Sequence, residues 1–203
     1  MPDYTHFTEY LKILEKDIYP QPIDAVHLQG TTEVIDLFVK PRLNKILTVL
    51  DIGCGQGNAY EKLTSLNLIW KGLTLGETDF ISCQTKGFPV VKEDMHFTSF
   101  DSGQFDLIFA RHVLEHSPMP LMALMEWHRI AKEYLIVVVP NPETVTVGGI
   151  NHYYMLTPGQ WKVLFKNAGW VIEQYDGSNI EEFRFCLKWN QFRTDFYDKE
   201  IAY

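Results

Sequence analysis

The chain of 203 residues is long enough to form one domain with a well-buried core. Its hydrophobic content of 46% and aromatic content of 14% are typical of an ordered globular protein. The formal net charge of −8 argues against an electrostatic nucleic-acid binder, which needs a basic face. The three cysteines are widely spaced and form no CxxC pair, so we expect neither a disulfide framework nor a cysteine metal site.

The ends and the apolar runs of the chain bear on its location. Residues 1–6 lack the basic stretch and apolar core of a secretory signal. Every apolar run is shorter than the roughly 20 residues that a membrane span needs. We therefore expect a soluble cytoplasmic protein in a reducing compartment, with no membrane and no nucleic acid among its partners.

The N-terminal part of the chain is predicted to form two helices over a sheet edge. Apolar residues at helical spacing indicate an amphipathic first helix over 7–18. A turn at 28–30 is expected to precede a second helix, capped by Thr31 or Thr32 and ended by Pro41. The polar residues near this turn, His27 among them, are candidates for the border of a ligand pocket.

From residue 46 onward, β-branched apolar runs alternate with helical patterns, which predicts a parallel α/β sheet with right-handed crossovers. The predicted strands are 46–51, 68–74, 87–91, 105–109, 134–139, 170–175 and 183–189, and the predicted helices are 58–65, 77–86, 120–131 and 157–168. The last strand alternates in polarity, so we place it at an edge of the sheet with one face in water.

Three glycines at alternate positions, Gly53, Gly55 and Gly57, join the first core strand to its helix. Such a loop lets the backbone turn sharply and approach a ligand, and the helix N-terminus behind it presents unpaired N–H groups. These features make half of a nucleotide site. The dinucleotide fingerprint GxGxxG is not matched, because Asn58 stands in the place of its third glycine.

The segment Val49–Gly57 resembles, almost letter for letter, the first motif of the class I S-adenosylmethionine-dependent methyltransferases. Three further segments, 86–95, 105–116 and 165–170, resemble other parts of that family, so the resemblance runs through residues 46–176. It implies S-adenosylmethionine as cofactor and methyl transfer to an oxygen or nitrogen atom of a small-molecule acceptor.

The resemblance also implies roles for individual residues. Asp51 would order the glycine loop and bind the methionyl ammonium, directly or through water. Asp94 would accept a hydrogen bond from the adenine amino group, with Met95 packed on the ring. The other residues assigned to the cofactor lie in the glycine loop and after the second and fourth strands: Gly53, Cys54, Gly55, Gly57, Thr74, Leu75, Glu77 and Arg111.

The end of the second strand departs from the family pattern. The family usually places there an acid that grips both ribose hydroxyls, and this chain has Thr74. A threonine bonds without charge assistance, although Glu77 stands three residues further on. Ribose binding is therefore rebuilt or weakened, or the protein is a catalytically silent methyltransferase-fold protein that binds a ligand or partner.

Residues 112–116 spell HxxEH, which in zinc proteases carries two metal ligands on a helix. Here the motif follows a sheet strand, and Ser117 and Pro118 interrupt any helix at once, so we expect no metal. We instead assign His112 or His116 as the general base for the acceptor proton, with a purely structural role as the alternative for His116.

Three further features concern partners and organisation. Asn141-Pro142 is typical of amino-methylating nucleic-acid enzymes, but it follows the fifth strand instead of the fourth, which favours a small molecule. His152 and Tyr153, in a long loop, face the acceptor or pack the loop. The aromatic stretch 189–203 covers a sheet edge or makes a homodimer contact.

Together these patterns predict one domain over residues 1–203, with an N-terminal helical cap (1–45) and a core (46–203). The core is expected to be a doubly wound, Rossmann-like sheet of seven strands, mostly parallel with an antiparallel last strand.

Overall fold

A computed structural model describes residues 20–144 and 151–191, together with residues 9, 12, 13 and 15. Apart from those four positions, the first predicted helix lies outside the described residues, as does the C-terminal stretch from 192. The helices are α1 (Ala25–Val34), α2 (Tyr60–Ser65), α3 (Glu77–Thr85), α4 (Pro120–Ile130) and α5 (Pro158–Asn167). The strands are β1 (Thr48–Ile52), β2 (Ile69–Thr74), β3 (Val90–Lys92), β4 (Phe105–Arg111), β5 (Ala131–Pro140), β6 (Trp170–Asp176) and β7 (Glu182–Trp189).

The seven strands form one sheet in the order β3-β2-β1-β4-β5-β7-β6. Strands β1 to β5 are parallel to one another, whereas β7 is antiparallel to both β5 and β6. The prediction of a mostly parallel seven-stranded sheet with an antiparallel last strand is therefore confirmed. Because the chain passes from β1 outward to β3 and then returns to β4 on the other side of β1, the switch point lies between β1 and β4.

The position of the last strand was predicted wrongly. Strand β7 lies between β5 and β6, and β6 forms the edge. The alternation of polarity does not mark a face in water at Arg184, which is only 6% exposed because acidic side chains surround it. Its neighbours Phe185, Cys186 and Leu187 are fully buried, as the interior position requires.

The cap helix α1 begins earlier than the sequence indicated. Asp24, and neither Thr31 nor Thr32, is the N-cap, and its carboxylate accepts hydrogen bonds from the backbone N–H groups of Val26 and His27. Gly30 lies inside the helix instead of in a turn. A Cβ atom there would meet the Arg111 guanidinium at 2.7 Å, so this glycine allows close packing of the cap on β4.

Alternate residues of each strand supply two apolar layers, one on each face of the sheet. Leu50 and Ile52 of β1 belong to the layer that α4 and α5 cover. Val49 belongs to the opposite layer, which α1 and the π-helical segment Ile35–Val39 cover. Asp51 points to the same side as Val49, so its carboxylate lies beneath the cap.

Among the described helices, none is both long and apolar enough to span a membrane.

Candidate active site

Two cavities meet at the carboxyl ends of β1, β2 and β4, and Gln21, Gly53, Gly55, His112 and His116 line both of them. The first cavity extends toward β2, β3 and α3, and the second toward α1 and the start of the loop before α5. The first is also lined by Thr74, Leu75, Asp79, Glu93, Asp94, Met95, His96, Val113 and Tyr153, among others. The second is also lined by His27, Thr31, Asp51, Cys54, Asn58, Arg111, Glu115, Pro140 and His152, among others.

The glycine loop forms the floor shared by the two cavities. Gly53 and Gly55 have φ values of +66° and +54°, a conformation that L side chains rarely adopt. A Cβ atom at Gly53 would lie 2.5 Å from Val113 Cγ2, and one at Gly55 would lie 2.7 Å from Gln21 Cβ. Both positions therefore need glycine. Gly57 lines neither cavity and instead packs against Phe88.

Asp51 brings a buried carboxylate to the second cavity. It is 4% exposed, and its Oδ2 accepts a hydrogen bond from Trp70 Nε1 at 3.1 Å. Burial raises the pKa of Asp51 to about 7, since one neutral donor compensates little of the lost hydration. A cation in the second cavity would favour the ionised form.

Asp94 presents an unsatisfied acceptor to the first cavity. Its Oδ1 accepts from the backbone N–H of His96 at 3.3 Å and lies 2.7 Å from His96 Nδ1. His96 is fixed in turn by Ser117, whose Oγ lies 2.6 Å from Nε2. Asp94 Oδ2 is buried and accepts no hydrogen bond from any described residue. A ligand donor at this oxygen would remove that deficit.

The end of β2 supplies a second acid that the sequence analysis did not single out. Thr74 and Asp79 both line the first cavity and are 5% and 2% exposed. The backbone N–H of Gln21 donates to both Asp79 carboxylate oxygens, at 3.1 and 3.2 Å. Burial raises the pKa of Asp79. The signal for this residue was an acid in the first turn of α3, soon after Thr74.

Leu75 and Glu77, also assigned to the cofactor, differ in whether they line a cavity. Leu75 lines the first cavity. The Glu77 side chain is 58% exposed, lies in neither cavity lining, and forms an ion pair with Lys92. Asp79, and not Glu77, is therefore the acid of this helix that faces the cavity.

His112 stands at the end of β4 in a strained backbone conformation, with φ +54°. Its Nε2 lies 2.8 Å from Glu182 Oε2, and its Nδ1 lies 3.4 Å from Glu115 Oε1. Burial opposes a charged ring, but the two carboxylates outweigh it and raise the pKa of His112. The ring therefore bridges two acids.

Glu182 is the centre of an ion-pair network behind the second cavity. It is 3% exposed and contacts Arg111 Nη2 at 2.9 Å and Arg184 Nε at 2.7 Å. Although burial opposes ionisation, these cations and His112 lower the pKa of Glu182 to about 2. Arg184 also donates to Glu33 of α1 at 2.9 Å, so the network ties the cap to β7.

Glu115, His116 and His152 form a cluster on the wall of the second cavity. Glu115 is fully buried, and neither carboxylate oxygen accepts a hydrogen bond within the described part of the chain. Burial raises the pKa of Glu115, but His112 and His116 outweigh it, so the net shift is downward. His116 Nδ1 donates to the Asn151 carbonyl at 3.0 Å, and its ring centroid lies 4.7 Å from that of His152.

A family model described as a methyltransferase domain matches residues 50–138. No curated protein matches the chain. The fold is similar to that of magnesium protoporphyrin IX methyltransferase from Synechocystis PCC 6803 with bound S-adenosylmethionine, with a TM-score of 0.64, 16% identity and 92% coverage of each chain. It is also similar to an S-adenosylmethionine-dependent methyltransferase from Archaeoglobus fulgidus, with a TM-score of 0.63, 20% identity, and coverage of 79% of this chain and 94% of that one. The [4+2]-cyclase SpnF gives a TM-score of 0.67 at 14% identity, with 80% of each chain covered.

The cleft fits S-adenosylmethionine by its donor set. The buried Asp94 Oδ2 lacks a donor among the described residues, and an amino group would supply one. Gly53 and Gly55 present backbone without a side chain to the cavity wall, and Asp51 offers a carboxylate to a cation. The family match shows that residues 50–138 are similar to a methyltransferase domain, and the order of the strands fits the Rossmann-like fold of methyltransferases.

Proposed function

We propose that this protein transfers the methyl group of S-adenosylmethionine to an oxygen or nitrogen atom of a small molecule. The observation that carries the proposal is the meeting of the two cavities at His112 and His116, with the unsatisfied Asp94 acceptor in one and a strongly charged wall in the other. When bound, the cofactor supplies an electrophilic methyl group on a sulfonium.

The first cavity would hold the adenosine part of the cofactor. Asp94 accepts from the adenine amino group, and Met95 lies beside it. Thr74 and Asp79 together accept from the ribose hydroxyls, so Asp79 supplies the carboxylate that the end of β2 lacks. Gly53 and Asp51 would hold the methionine part, with Asp51 as partner of the ammonium.

The second cavity would hold the acceptor. The cap residues Gln21 and Thr31 form part of its wall, so the acceptor is enclosed on that side. His112 and His116 are the candidates for the base that takes the acceptor proton. His112 lies between two carboxylates that favour its charged form, which makes His116 the stronger candidate of the two.

Calorimetry with S-adenosylmethionine and S-adenosylhomocysteine tests the proposal. Both should bind with one-to-one stoichiometry, and S-adenosylhomocysteine should accumulate when a pool of small hydroxyl and amine compounds is added. The far-ultraviolet circular dichroism spectrum controls for folding. If the folded protein binds neither compound, the proposal is wrong.

One observation favours a second candidate, a catalytically silent protein of this fold that binds a ligand or partner. Thr74 stands where an acid is usual in the family, and a cyclase shares the fold, so the fold alone does not give methyl transfer. Under this candidate, neither cofactor form binds, while a ligand of the second cavity still raises the unfolding temperature.

A further inference from the structure

The cluster of Glu115, His116 and His152 has the composition of a metal site. One ligand atom from each residue lies within 4.8 Å of the other two. Glu115 and His116 belong to the short 3-10 helix Leu114–His116, and His152 comes from the loop before α5. We propose that these three side chains bind one divalent transition-metal ion, which holds an oxygen atom of the acceptor in the second cavity.

Glu115 is the strongest single observation for a missing cation. Its side chain is fully buried, and both carboxylate oxygens lack a hydrogen-bond donor among the described residues. The nearest ion-pair contact of Glu115 is with His112, whose Nδ1 lies 3.4 Å from Oε1. The same imidazole ring contacts Glu182 through Nε2. A buried carboxylate is normally paired or metal-bound, and the ion-pair contacts of Glu115 within the described residues involve Oε1 at 3.4 Å or more, which leaves Oε2 for a metal ion.

His116 is oriented as metal-ligating histidines usually are. Its Nδ1 lies 3.0 Å from the Asn151 carbonyl oxygen, which only accepts hydrogen bonds, so Nδ1 carries the proton. In the neutral ring the lone pair is then on Nε2, the atom that lies 3.9 Å from Glu115 Oε1. A hydrogen bond from the other ring nitrogen to a backbone carbonyl is a common outer-shell partner of a metal ligand.

His152 completes the set from a distant part of the chain. Its Nδ1 is buried and finds no hydrogen-bond partner in the described ranges. Its ring lies 4.7 Å from that of His116, centroid to centroid, and it lines the same cavity as Glu115. The HxxEH pattern alone gave no reason to expect a metal because its helix is interrupted, but the third ligand does not come from that helix.

Two imidazoles and one carboxylate suit Zn²⁺ and its first-row neighbours. Three protein ligands leave a coordination position open, as catalytic sites do and structural zinc sites do not. Metal–ligand bonds of about 2.0–2.2 Å require ligand atoms about 3.5 Å apart. The three ligand atoms lie within 4.8 Å of one another, so they must move closer together by up to about 1 Å on binding.

The catalytic role of this site rests on the proposed function. The ion would bind a hydroxyl oxygen of the acceptor and make its proton more acidic, and that proton is released to solvent. The oxygen then forms a bond to the methyl carbon, the carbon–sulfur bond breaks, and its electron pair stays on sulfur. This assignment selects oxygen over nitrogen as the acceptor atom and makes His116 a ligand instead of a base.

Metal titration of the chelator-treated protein tests the site directly. Calorimetry with ZnCl₂ should give one equivalent bound, and Co²⁺ should give the visible absorption of a nitrogen- and oxygen-ligated ion. The variants Glu115→Gln, His116→Ala and His152→Ala should each weaken metal binding at least about 10-fold. Removing a ligand should cost at least as much affinity as removing a residue that only hydrogen-bonds to a ligand. His27→Ala is the matched control, because it removes a half-exposed imidazole from the same cavity but outside the cluster, and it should leave metal affinity unchanged.

Two results would overturn the inference: no stoichiometric metal bound by the wild type, or wild-type affinity in both histidine variants. Circular dichroism establishes whether each variant is folded. Because three variants are made, the test still works if one of them does not fold. Binding of S-adenosylhomocysteine is measured in parallel. Cofactor binding without metal binding sinks only the metal site, whereas metal binding without cofactor binding sinks only the proposed methyl transfer.

Discussion

The two cavities differ in how their acids are compensated. In the first cavity, Asp79 accepts from a backbone N–H group, and Asp94 pairs with a histidine. Behind the second cavity, Glu182 is held by two arginines and His112. The first cavity is therefore built to accept hydrogen bonds from neutral amino and hydroxyl groups. The second cavity is lined and backed by charged groups, which is what the proposed methyl transfer from a sulfonium to an acceptor that loses a proton requires.

Asp51 is an acid of the second cavity whose pKa is raised, because its hydrogen bond comes from the neutral Trp70 side chain, and the largest effect is expected there. Its pKa is about 7 in the folded protein against 3.8 as the ordinary value. The folded state thus binds the proton more tightly, so stability falls as pH rises from about 4 to about 7. Asp51→Asn removes this loss, and its free energy of unfolding near pH 7.5 should exceed that of wild type by roughly 4 kcal/mol.

Urea unfolding without cofactor, at pH 5 and pH 7.5, measures this difference. The gain from Asp51→Asn should be much smaller at pH 5, because wild-type Asp51 is then largely protonated in the folded state. The variant should also bind S-adenosylhomocysteine more weakly, since it lacks the charge for the ammonium. An equal gain at both pH values would contradict the raised pKa.

Glu182 differs from Asp51 in the direction of its pKa shift, which is downward. Its pKa is about 2 in the folded protein against 4.5, so its stabilisation is present above pH 4.5 and is lost as pH falls toward 2. Glu182→Gln leaves Arg111, Arg184 and His112 without their shared anion. The free energy of unfolding at pH 7 should fall by about 3 kcal/mol.

The neighbouring Glu181→Gln is the matched control, because Glu181 is exposed and its hydrogen bonds within the described residues are made by its backbone. It should change the free energy of unfolding by less than about 0.5 kcal/mol. Urea midpoints of the two variants at pH 7 separate the network from a general effect of charge. Equal midpoints would mean that the network contributes no net stability.

The fold was largely predictable because its signals are local. Alternation of apolar strands with helices, and the glycine loop after Asp51, gave the parallel sheet and the position of the cleft. The predictions were wrong where a contact between residues distant in sequence determines the local structure. Strand β7 was placed at an edge because its polarity alternates, but acids from α1 and β6 cover its Arg184 side chain. Gly30 suggested a turn because its neighbour in space, Arg111, is remote in sequence.

The site divides in the same way. Asp94, Met95, Gly53 and Gly55 follow strands whose ends the topology brings together, so the family motifs pointed to residues that line one cavity. Asp79 was missed because its role depends on Gln21, which lies in another segment. The cluster of Glu115, His116 and His152 was missed as a unit because a loop, and no helical spacing, brings its third member in.

Asp94→Ala tests the neutral character of the first cavity. Without Asp94, a buried adenine amino group loses its acceptor, which costs about 1–3 kcal/mol and weakens S-adenosylhomocysteine roughly 10- to 100-fold. Calorimetry measures the change. Asp101→Ala removes an exposed acid outside both cavities and should leave the affinity unchanged. Equal affinity in wild type and Asp94→Ala would show that adenine binds elsewhere.

The smallest expected effect concerns Gly53, which belongs to both cavities. Gly53 and Gly87 have similar φ values, +66° and +74°, so an alanine is strained at either position by about 1–2 kcal/mol. At Gly87 the new Cβ would meet nothing within 4 Å, whereas at Gly53 it would lie 2.5 Å from Val113. Gly53→Ala should therefore be less stable than Gly87→Ala by about 1 kcal/mol or more.

Comparing Gly53→Ala with Gly87→Ala also separates the effect of backbone strain on cofactor binding from the effect of a steric collision. Gly87→Ala should bind S-adenosylhomocysteine as the wild type does, because it changes neither cavity. Gly53→Ala should bind it more weakly, since Val113 must shift within the first cavity to make room for the methyl group. Equal affinities in the two variants would mean that the glycine is needed only for its backbone conformation and that the cofactor does not approach this loop closely.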